Sequence, residues 1–212
     1  MLGVAQSGNT YHYLNWVPSE RGPLVTNYGT INKEIESPED LEQHYTDLFR
    51  ELFNVENNGD PICTLSLDRT HIFFSTCFAE NNSKELIDWH LAQSQDEHSK
   101  EALEFYHYPM AEGIQKMLNI GLPKAIRDSL HSTMKILQSK LNSLGVGIFS
   151  AETGARQWFK AHQLESYLIW KMGRKKTDEL LFIKQGELIS YFGINRTGGK
   201  VKLVWQLGDN QS

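Results

Sequence analysis

Histidine and tyrosine are the residues of this sequence whose grouping first suggests chemistry. His12 and His107 each stand between two tyrosines, and His90 and His98 are eight residues apart. Successive side chains of a strand point to opposite faces, so a histidine flanked by tyrosines fits a sheet surface better than a metal site. The pair at 90 and 98 lacks a third ligand at a fitting spacing, and we expect no zinc site.

The usual marks of a nucleophile are absent from the sequence. Cys63 and Cys77 are the two cysteines, and both lie in apolar stretches. Two cysteines give neither a metal set nor a disulfide framework, so we expect inert, buried thiols. No Gly-x-Ser-x-Gly, His-Glu-x-x-His or Gly-x-x-x-x-Gly-Lys-Ser/Thr motif occurs. The motifs therefore give no support to catalysis.

The charge of the chain is mild and spread along the sequence. A net charge of −5 without a basic stripe argues against nucleic acid as a partner. The basic residues 174–176 could attract a phosphate or an anionic lipid headgroup, but a solvated hairpin tip is favoured, since a lipid-binding cluster has more charges. No apolar run reaches signal-peptide or membrane-spanning length, so we expect a cytosolic chain without direct membrane insertion.

Strand and turn signals recur in two parts of the chain. Residues 2–5, 10–17 and 24–31 are predicted strands separated by turns. The same order of strand, turn, strand, turn, strand returns at 164–172, 179–183 and 188–194, with one more strand near 201–205. This recurrence predicts a duplicated unit, although hairpins are common in any α/β chain.

Helical periodicity fills the region between the two strand groups. A helix is predicted after Ser37 and a strand at 62–67, and residues 69–120 indicate an inserted αβ module. A long helix is predicted from Pro123, with apolar residues at three- and four-residue steps from Ile126 to Leu141 and an end at Gly145. A short strand at 147–150 and a short helix at 155–161 are expected to follow.

Four stretches together resemble the PilM family of type IV pilus assembly proteins, within the actin and sugar-kinase superfamily. They are residues 2–10 (LGVAQSGNT), residues 84–91 (KELIDWHL) with 103–105, residues 118–144, and residues 169–173 followed by 180–188. The resemblance implies an α/β fold with a ribonuclease-H/actin-like core, in which three antiparallel strands adjoin parallel strands with crossover helices. It implies that this core is duplicated and carries an inserted αβ subdomain.

The resemblance also implies a domain organisation. The first actin-like domain is expected at 1–162, with its insert at about 69–120, and a partial second domain at 163–212. Members of the family carry a further helical portion that completes the second domain, so this chain is expected to be a shortened form.

Two degenerate phosphate turns are implied by the same resemblance: Ser7, Gly8 and Asn9 in the first, and Gly173 in the second. The acidic positions that would hold hydrated Mg²⁺ are Ala5 and Lys171, neither of which can do so. We therefore expect a chain that is not an enzyme and has no cofactor. ATP is the one ligand whose binding is left open. The alternative is a nucleotide-binding enzyme whose carboxylates come from elsewhere, such as Asp68 or Glu152.

A binding role is what the resemblance implies instead. Family members clamp a short cytosolic peptide of a single-pass inner-membrane assembly protein (PilN-like), in a groove between the core of the first domain and its insert. The candidate contacts here are Trp89, His90, Phe105 and His107, because aromatic residues supply much of the binding energy in peptide grooves. We expect a cytoplasmic scaffold or adaptor at the inner membrane. Whether the chain forms a homo-oligomer is left open. An alternative function is that of a cytosolic domain of a type II secretion platform protein.

Overall fold

The computed structural model describes residues 1–35, 37–54, 62–78, 84–98, 102–110, 116–173, 177–197 and 199–208. The chain divides into two compact units. Unit 1 comprises Met1–Ile72 and Leu122–Gly147, and unit 2 comprises Phe73–Gly121 and Ile148–Ser212. The boundary between two actin-like domains at residue 162 stays a prediction.

Twelve strands and four helices are found in the described residues. In chain order they are β1 (Leu2–Ser7), β2 (Thr10–Ser19), β3 (Gly22–Asn32), α1 (Leu41–Asn54), β4 (Ile62–Leu67), β5 (Phe73–Phe78), α2 (Lys84–His98), β6 (Leu103–Pro109), β7 (Lys116–Pro123), α3 (Lys124–Ile136), β8 (Lys140–Val146), α4 (Gly147–Trp158), β9 (Ser166–Lys171), β10 (Thr177–Lys184), β11 (Glu187–Thr197) and β12 (Lys200–Gly208). No helix of the described residues is long and apolar enough to cross a membrane.

Unit 1 is built on a five-stranded sheet with the order β3-β2-β1-β4-β8. The first three strands form the predicted antiparallel meander, and β4 pairs in parallel with both β1 and β8. A parallel pair needs a crossover connection, which α1 supplies between β3 and β4 and α3 supplies before β8. Three antiparallel strands adjoining parallel strands with crossover helices confirm the predicted ribonuclease-H/actin-like core.

The core of unit 1 lies between this sheet and its helices. Every third or fourth residue of α1 is apolar, so one face of the helix is buried. The buried residues of this face are Leu41, Tyr45, Leu48, Phe49 and Leu52. They share a cluster with Ile126, Leu130 and Met134 of α3. Each such side chain contributes roughly 1.5–3 kcal/mol when fully buried.

Unit 2 contains the inserted module and a second sheet. The module is a three-stranded sheet of order β5-β7-β6, and α2 packs on one of its faces through Ile87 and Leu91, against Phe105 and Met117. Leu118 on its other face shares a cluster with Leu181 and Tyr191 of the second sheet. The second sheet has four antiparallel strands in the order β12-β11-β10-β9, and it confirms the predicted recurrence of strand and turn.

The predicted long helix after Pro123 is partly wrong. Helix α3 ends at Ile136, and Gln138 follows with a φ of 50° in the left-handed region. Residues Lys140–Val146 form β8, parallel to β4, so Leu141 and Leu144 face the core from a strand. The spacing of the apolar residues in this segment is compatible with a helix or a strand. The parallel pairing with β4 makes the segment a strand. The expected strand at 147–150 is wrong too, because α4 begins at Gly147.

Candidate functional site

The first predicted phosphate turn joins β1 to β2. Ser7 pairs with Thr10 across the hairpin, and Gly8 has a φ of +58°, which glycine adopts without strain. Ser7 is half-buried, while Gly8 and Asn9 are exposed. Because β4 lies beside β1 and runs parallel to it, the residue that follows β4 is brought to the same end of the sheet. That residue is Asp68.

The carboxylate of Asp68 occupies the first turn. Gly8 donates its backbone N–H to Oδ2 of Asp68 at 3.0 Å. The other oxygen, Oδ1, accepts from the backbone N–H and the hydroxyl of Thr70, at 3.0 and 2.9 Å, and thereby caps the short 3₁₀ helix at Arg69–His71. The backbone amide of Gly8, which the resemblance assigns to phosphate binding, is thus already bonded to the carboxylate of Asp68.

The second predicted turn has the same arrangement. The backbone N–H of Gly173 donates to Oδ1 of Asp178 at 3.0 Å. The same carboxylate accepts from Nε1 of Trp170 at 2.8 Å and is paired with the guanidinium of Arg196, whose Nε lies 2.6 Å from Oδ2 and whose Nη2 lies 2.9 Å from Oδ1. A Cβ at position 173 would lie 1.8 Å from the backbone oxygen of Thr177, so glycine is required there.

Asp178 remains ionised although its side chain is fully buried. Burial raises the pKa of this carboxyl, but the hydrogen bonds from Arg196, Trp170 and Gly173, together with the charge of Arg196, outweigh burial and hold the pKa below its ordinary value. A buried carboxylate with this many donors is a fixed negative charge at the second turn.

The two positions that the resemblance assigns to metal-binding acids lie in strands. Ala5 is in β1, opposite His12 and beside Ser66 of β4. Lys171 ends β9, and its Nζ lies 2.8 Å from Oε1 of Glu179 on β10. Among the described residues, no group of three or more His, Cys, Asp or Glu side chains could hold a metal ion.

Glu152, the second acid proposed as an alternative catalytic carboxylate, is buried on α4 and already bonded. Its Oε1 accepts from Nε of Arg156 and from the hydroxyl of Tyr167, the latter at 2.6 Å. Arg156 also donates to the backbone oxygen of Gly186 at 2.7 Å. This cluster therefore ties α4 to β9 and to the β10–β11 turn.

A buried polar chain next to the first turn was missed by sequence reasoning. Nε2 of Gln6 lies 3.1 Å from the hydroxyl of Tyr11 and 3.0 Å from Nε2 of His71, and the Tyr11 hydroxyl lies 2.9 Å from Nε2 of His44. Burial is the main cause that lowers the pKa of both histidines. One signal in the sequence was available: Gln6 is polar at an inward position of β1, after Leu2 and Val4.

The four predicted partner contacts lie on two elements of the inserted module, Trp89 and His90 on α2 and Phe105 and His107 on β6. Trp89 is 58% exposed on α2, with the ring of His90 edge-on at 4.9 Å. Phe105 instead lies in the core between α2 and the module sheet. His107 is exposed on β6, and its Nδ1 lies 3.0 Å from Oδ1 of Asn119. Residues 174–176 lie outside the described part of the chain.

Solved structures similar to this chain share its architecture at low sequence identity. A chain of a PilM-PilN type IV pilus biogenesis complex has a TM-score of 0.64 and 10% identity, and the match covers 93% of this chain and 62% of that one. The cytoplasmic domain of EpsL, an inner membrane component of the type II secretion system of Vibrio cholerae, has a TM-score of 0.54 and 11% identity, covering 92% and 70%.

A Bacteroides thetaiotaomicron protein with an actin-like ATPase fold and unknown function has a TM-score of 0.52 and 10% identity, covering 92% of this chain and 70% of that one. No family model matches the sequence. No curated protein matches it. This chain spans less than two thirds of the matched chain of the pilus complex. The structural likenesses show that the chain has the actin-like ATPase fold.

Proposed function

We propose that this chain is a non-catalytic component of a type IV pilus or related secretion assembly, and that it binds a peptide of an inner-membrane partner at the cytoplasmic side. One observation carries the non-catalytic part. The amides of Gly8 and Gly173, which the resemblance assigns to phosphate binding, donate to the chain's own carboxylates, Asp68 and Asp178.

At either turn, a phosphate would have to displace the carboxylate already bound there. Each is held by several donors, and one is paired with Arg196. A phosphate that entered beside either carboxylate would also meet a like charge, and like charges a few ångströms apart repel strongly in a partly buried site. With Ala5 and Lys171 at the positions assigned to acids, no described side chain there would hold the Mg²⁺ that offsets this repulsion.

The peptide-binding part is supported by two observations of another kind. The fold is shared with a chain from a PilM-PilN complex and with EpsL, an inner membrane component. In addition, Trp89 is a large aromatic residue that stands exposed on a regular helix of the inserted module. Tryptophan is enriched among the residues that dominate binding energy. We propose Trp89 and His90 as contacts, and Phe105 as the support beneath the helix.

Nucleotide binding is tested by calorimetry and turnover with Mg-ATP. We expect no saturable binding and no phosphate release from the wild-type chain. Turnover by the wild type that is lost in Asp68→Asn would establish the nucleotide-binding enzyme instead. Glu152→Gln is the parallel variant for the other candidate acid.

Partner binding is tested by capture from a detergent-solubilised lysate of the host, followed by mass spectrometry. We expect the wild type to retain a single-pass inner-membrane protein with a short cytosolic N-terminus, and Trp89→Ala to lose it. Trp158→Ala is the matched control, because Trp158 is a similarly exposed tryptophan at the end of another helix. Equal capture by Trp89→Ala, or no such protein from a host that expresses one, would contradict the proposal.

A second candidate is the cytosolic domain of a type II secretion platform protein. The likeness to the EpsL cytoplasmic domain, over 92% of this chain, favours it. A reading frame that continues into a membrane helix beyond residue 212 would support this candidate. A separate membrane partner recovered by capture would support the adaptor.

A further inference from the structure

The first strand of the second sheet, β9, has a neighbouring strand on one side only. Both large sheets begin with an antiparallel meander, β1-β2-β3 in unit 1 and β9-β10-β11 in unit 2. In unit 1 the first strand, β1, pairs on its other side with β4, in parallel. In unit 2 the order is β12-β11-β10-β9, so within the described part of the chain no strand lies beside β9 as β4 lies beside β1. The unpaired side of Ser166–Lys171 is called here the β9 edge.

The residues of β9 are typical of a strand that has neighbours on both sides. Its sequence is SYLIWK, with four apolar or aromatic residues in succession. Tyr167 and Ile169 pack against the core of unit 2, whereas Leu168 and Trp170 on the other face are 46% and 48% exposed. Nearly continuous apolar runs are typical of parallel sheets, whose strands are covered on both faces. The sequence of β9 therefore fits an interior position in a sheet.

The β9 edge also lacks the protection that the other edges of the two large sheets have. In each of the other edge strands, β3, β8 and β12, one extra residue interrupts the register with the neighbouring strand. These extra residues are Thr26, Asn142 and Val204. The register of β9 with β10 is continuous, and the charged residue of β9, Lys171, is paired with Glu179. A regular, apolar edge strand is a template for pairing with another chain, and bulges and unpaired charges prevent such pairing.

Side-chain hydrogen bonds hold β9 in place from both faces of the sheet. On the inner face, the hydroxyl of Tyr167 donates to Oε1 of Glu152 on α4 at 2.6 Å. On the outer face, Nε1 of Trp170 donates to Oδ2 of Asp178 at 2.8 Å. A binding site that is already ordered loses less conformational entropy when its partner binds. The β9 edge is therefore a preformed site for an extended chain.

We infer that the β9 edge binds an extended segment of a partner protein, which adds to the sheet as a strand parallel to β9. The β1–β4 pair selects this occupant, because a parallel strand takes the same position in unit 1. The sequence of β4 is ICTLSL, without a charge. We expect the partner segment to be uncharged as well, with apolar or β-branched side chains on both faces that pack beside those of β9.

This mode of binding divides the work between backbone and side chains. Hydrogen bonds between the main chains supply the affinity, and alternate side chains of the added strand supply the specificity. On one face the added side chains lie beside Tyr167 and Ile169, and on the other they lie beside Leu168 and Trp170. The exposed area of the last two side chains is then covered.

Two other occupants fit the β9 edge less well. A second copy of this chain, related by a two-fold axis, would pair β9 antiparallel with itself, unlike the parallel β1–β4 pair. A helix laid on the outer face would cover Leu168 and Trp170 but would leave the backbone groups of the edge without partners. The inference does not depend on Trp89, which lies on α2, so it can fail without affecting the peptide site proposed there.

The test uses a dye-labelled peptide as long as β9, of alternating valine and threonine on a soluble glycine-serine tail, with fluorescence anisotropy as the readout. We expect Leu168→Lys to bind it at least about tenfold more weakly than the wild type, because a charge on an edge strand disfavours the addition of another strand. Leu203→Lys is the matched control, since Leu203 is a similarly exposed leucine on the same face, at the opposite edge of the sheet.

Circular dichroism and thermal unfolding check that each variant folds. An equal loss in both variants would place the peptide on the face of the sheet, away from the edge. Unchanged binding by Leu168→Lys would show that the edge is not involved. Either result would overturn the inference.

N-methylated peptides test the backbone contact without any change to the protein. Alternate N–H groups of a strand point to opposite sides, so only every second N–H of an added strand faces β9. One peptide is methylated at its odd positions and the other at its even positions. We expect one of them to lose binding and the other to keep it, and loss in both or in neither would contradict strand addition.

The direction of the added strand and its source are tested on the same complex. A nitroxide at the N-terminal end of the peptide should broaden the amide NMR signal of Ser166 more than that of Lys171, because parallel strands begin at the same end. Stronger broadening at Lys171 would rule out the parallel arrangement. A wild-type dimer in sedimentation that Leu168→Lys abolishes would assign the edge to a second copy and would likewise overturn the inference.

Discussion

The backbone N–H of Gly8 and the carboxylate of Asp68 meet at 3.0 Å, although the two residues are 60 positions apart in sequence. Gly8 lies in a hairpin turn and Asp68 follows a parallel strand, so the bond depends on the pairing of β1 with β4. It closes the first turn with an internal anion. Gly173 and Asp178 repeat the arrangement in unit 2 over a short sequence distance.

Replacing Asp68 by asparagine should weaken unit 1 without unfolding it. Asparagine keeps an acceptor but loses the charge that strengthens the bonds from Gly8 and Thr70, so we expect a loss of about 1 kcal/mol in the free energy of unfolding. Urea denaturation measures this. Asp128→Asn is the control, because Asp128 is an exposed acid paired with Arg127 on a helix surface. Equal losses in both variants would mean that the turn contact contributes nothing particular.

Replacing Gly173 by alanine should be much more costly. The added Cβ would meet the oxygen of Thr177 and displace the amide from Asp178, so we expect a loss of roughly 3 kcal/mol. Gly154→Ala in α4 is the control: a Cβ there meets nothing within 4 Å, and alanine should add about 0.5–1 kcal/mol of stability. Thermal unfolding distinguishes the two, and a tolerated Gly173→Ala would show that the turn can relax.

Stability should fall below about pH 6.5 because of two histidines, His44, which is buried, and His71, which is partly buried. Burial is the largest cause that lowers the pKa of His44, followed by the charge of Lys33, while a hydrogen bond with the backbone of Glu34 and the charge of Asp47 raise it. Burial also lowers the pKa of His71, and the charge of Asp68 raises it. The unfolded chain takes up protons near the ordinary pKa while the folded chain does not. The stabilisation is therefore complete above that pKa and declines as the pH falls toward the folded values.

The measurement is the urea midpoint across roughly pH 5 to 8. His44→Gln should show a shallower decline than the wild type, since glutamine can still bond to Tyr11 but does not titrate in this range. An unchanged slope would assign the decline to other groups. Stability that increases as the pH falls would contradict the prediction that the pKa values of His44 and His71 are lowered by folding.

Replacing Asn15 by leucine should stabilise the chain. Asn15 is buried on β2 at a bulge, and neither its amide nitrogen nor its oxygen has a hydrogen-bond partner among the described residues. An unsatisfied buried amide costs free energy that an apolar side chain of similar size does not, and the gain should be about 1 kcal/mol. A lower melting temperature for Asn15→Leu would show that the amide is satisfied in solution.

Trp89 and Phe105 should respond differently to truncation. Phe105 packs under α2 with Ile87 and Leu91 and edge-on to Phe73, so Phe105→Ala should cost about 2–3 kcal/mol. Trp89→Ala should stay within about 0.5 kcal/mol, because the side chain is mostly exposed. Urea unfolding of the two variants checks this. A large loss for Trp89→Ala would indicate a structural role and weaken its use as a binding probe.

Local pattern was enough to predict the strands of the β9–β12 sheet and those of the unit 1 sheet other than β8. The opening meander and the recurrence at β9 to β11 could be predicted because alternation and turn residues act over a few positions. The same reasoning placed an αβ module between β4 and α3. Local pattern did not predict that α3 ends at Ile136, because Leu137 and Leu141 continue the helical spacing of the apolar residues.

The sequence by itself determined where glycine turns and apolar strands occur, because those depend on neighbours along the chain. Only the tertiary structure decided what the turns bind and which side chains are free to bind others. Asp68 reaches Gly8 through the parallel pairing of β1 and β4, and Phe105 is covered by α2 while Trp89 is not. Strand order and helix placement bring distant residues together, and no local periodicity encodes that proximity.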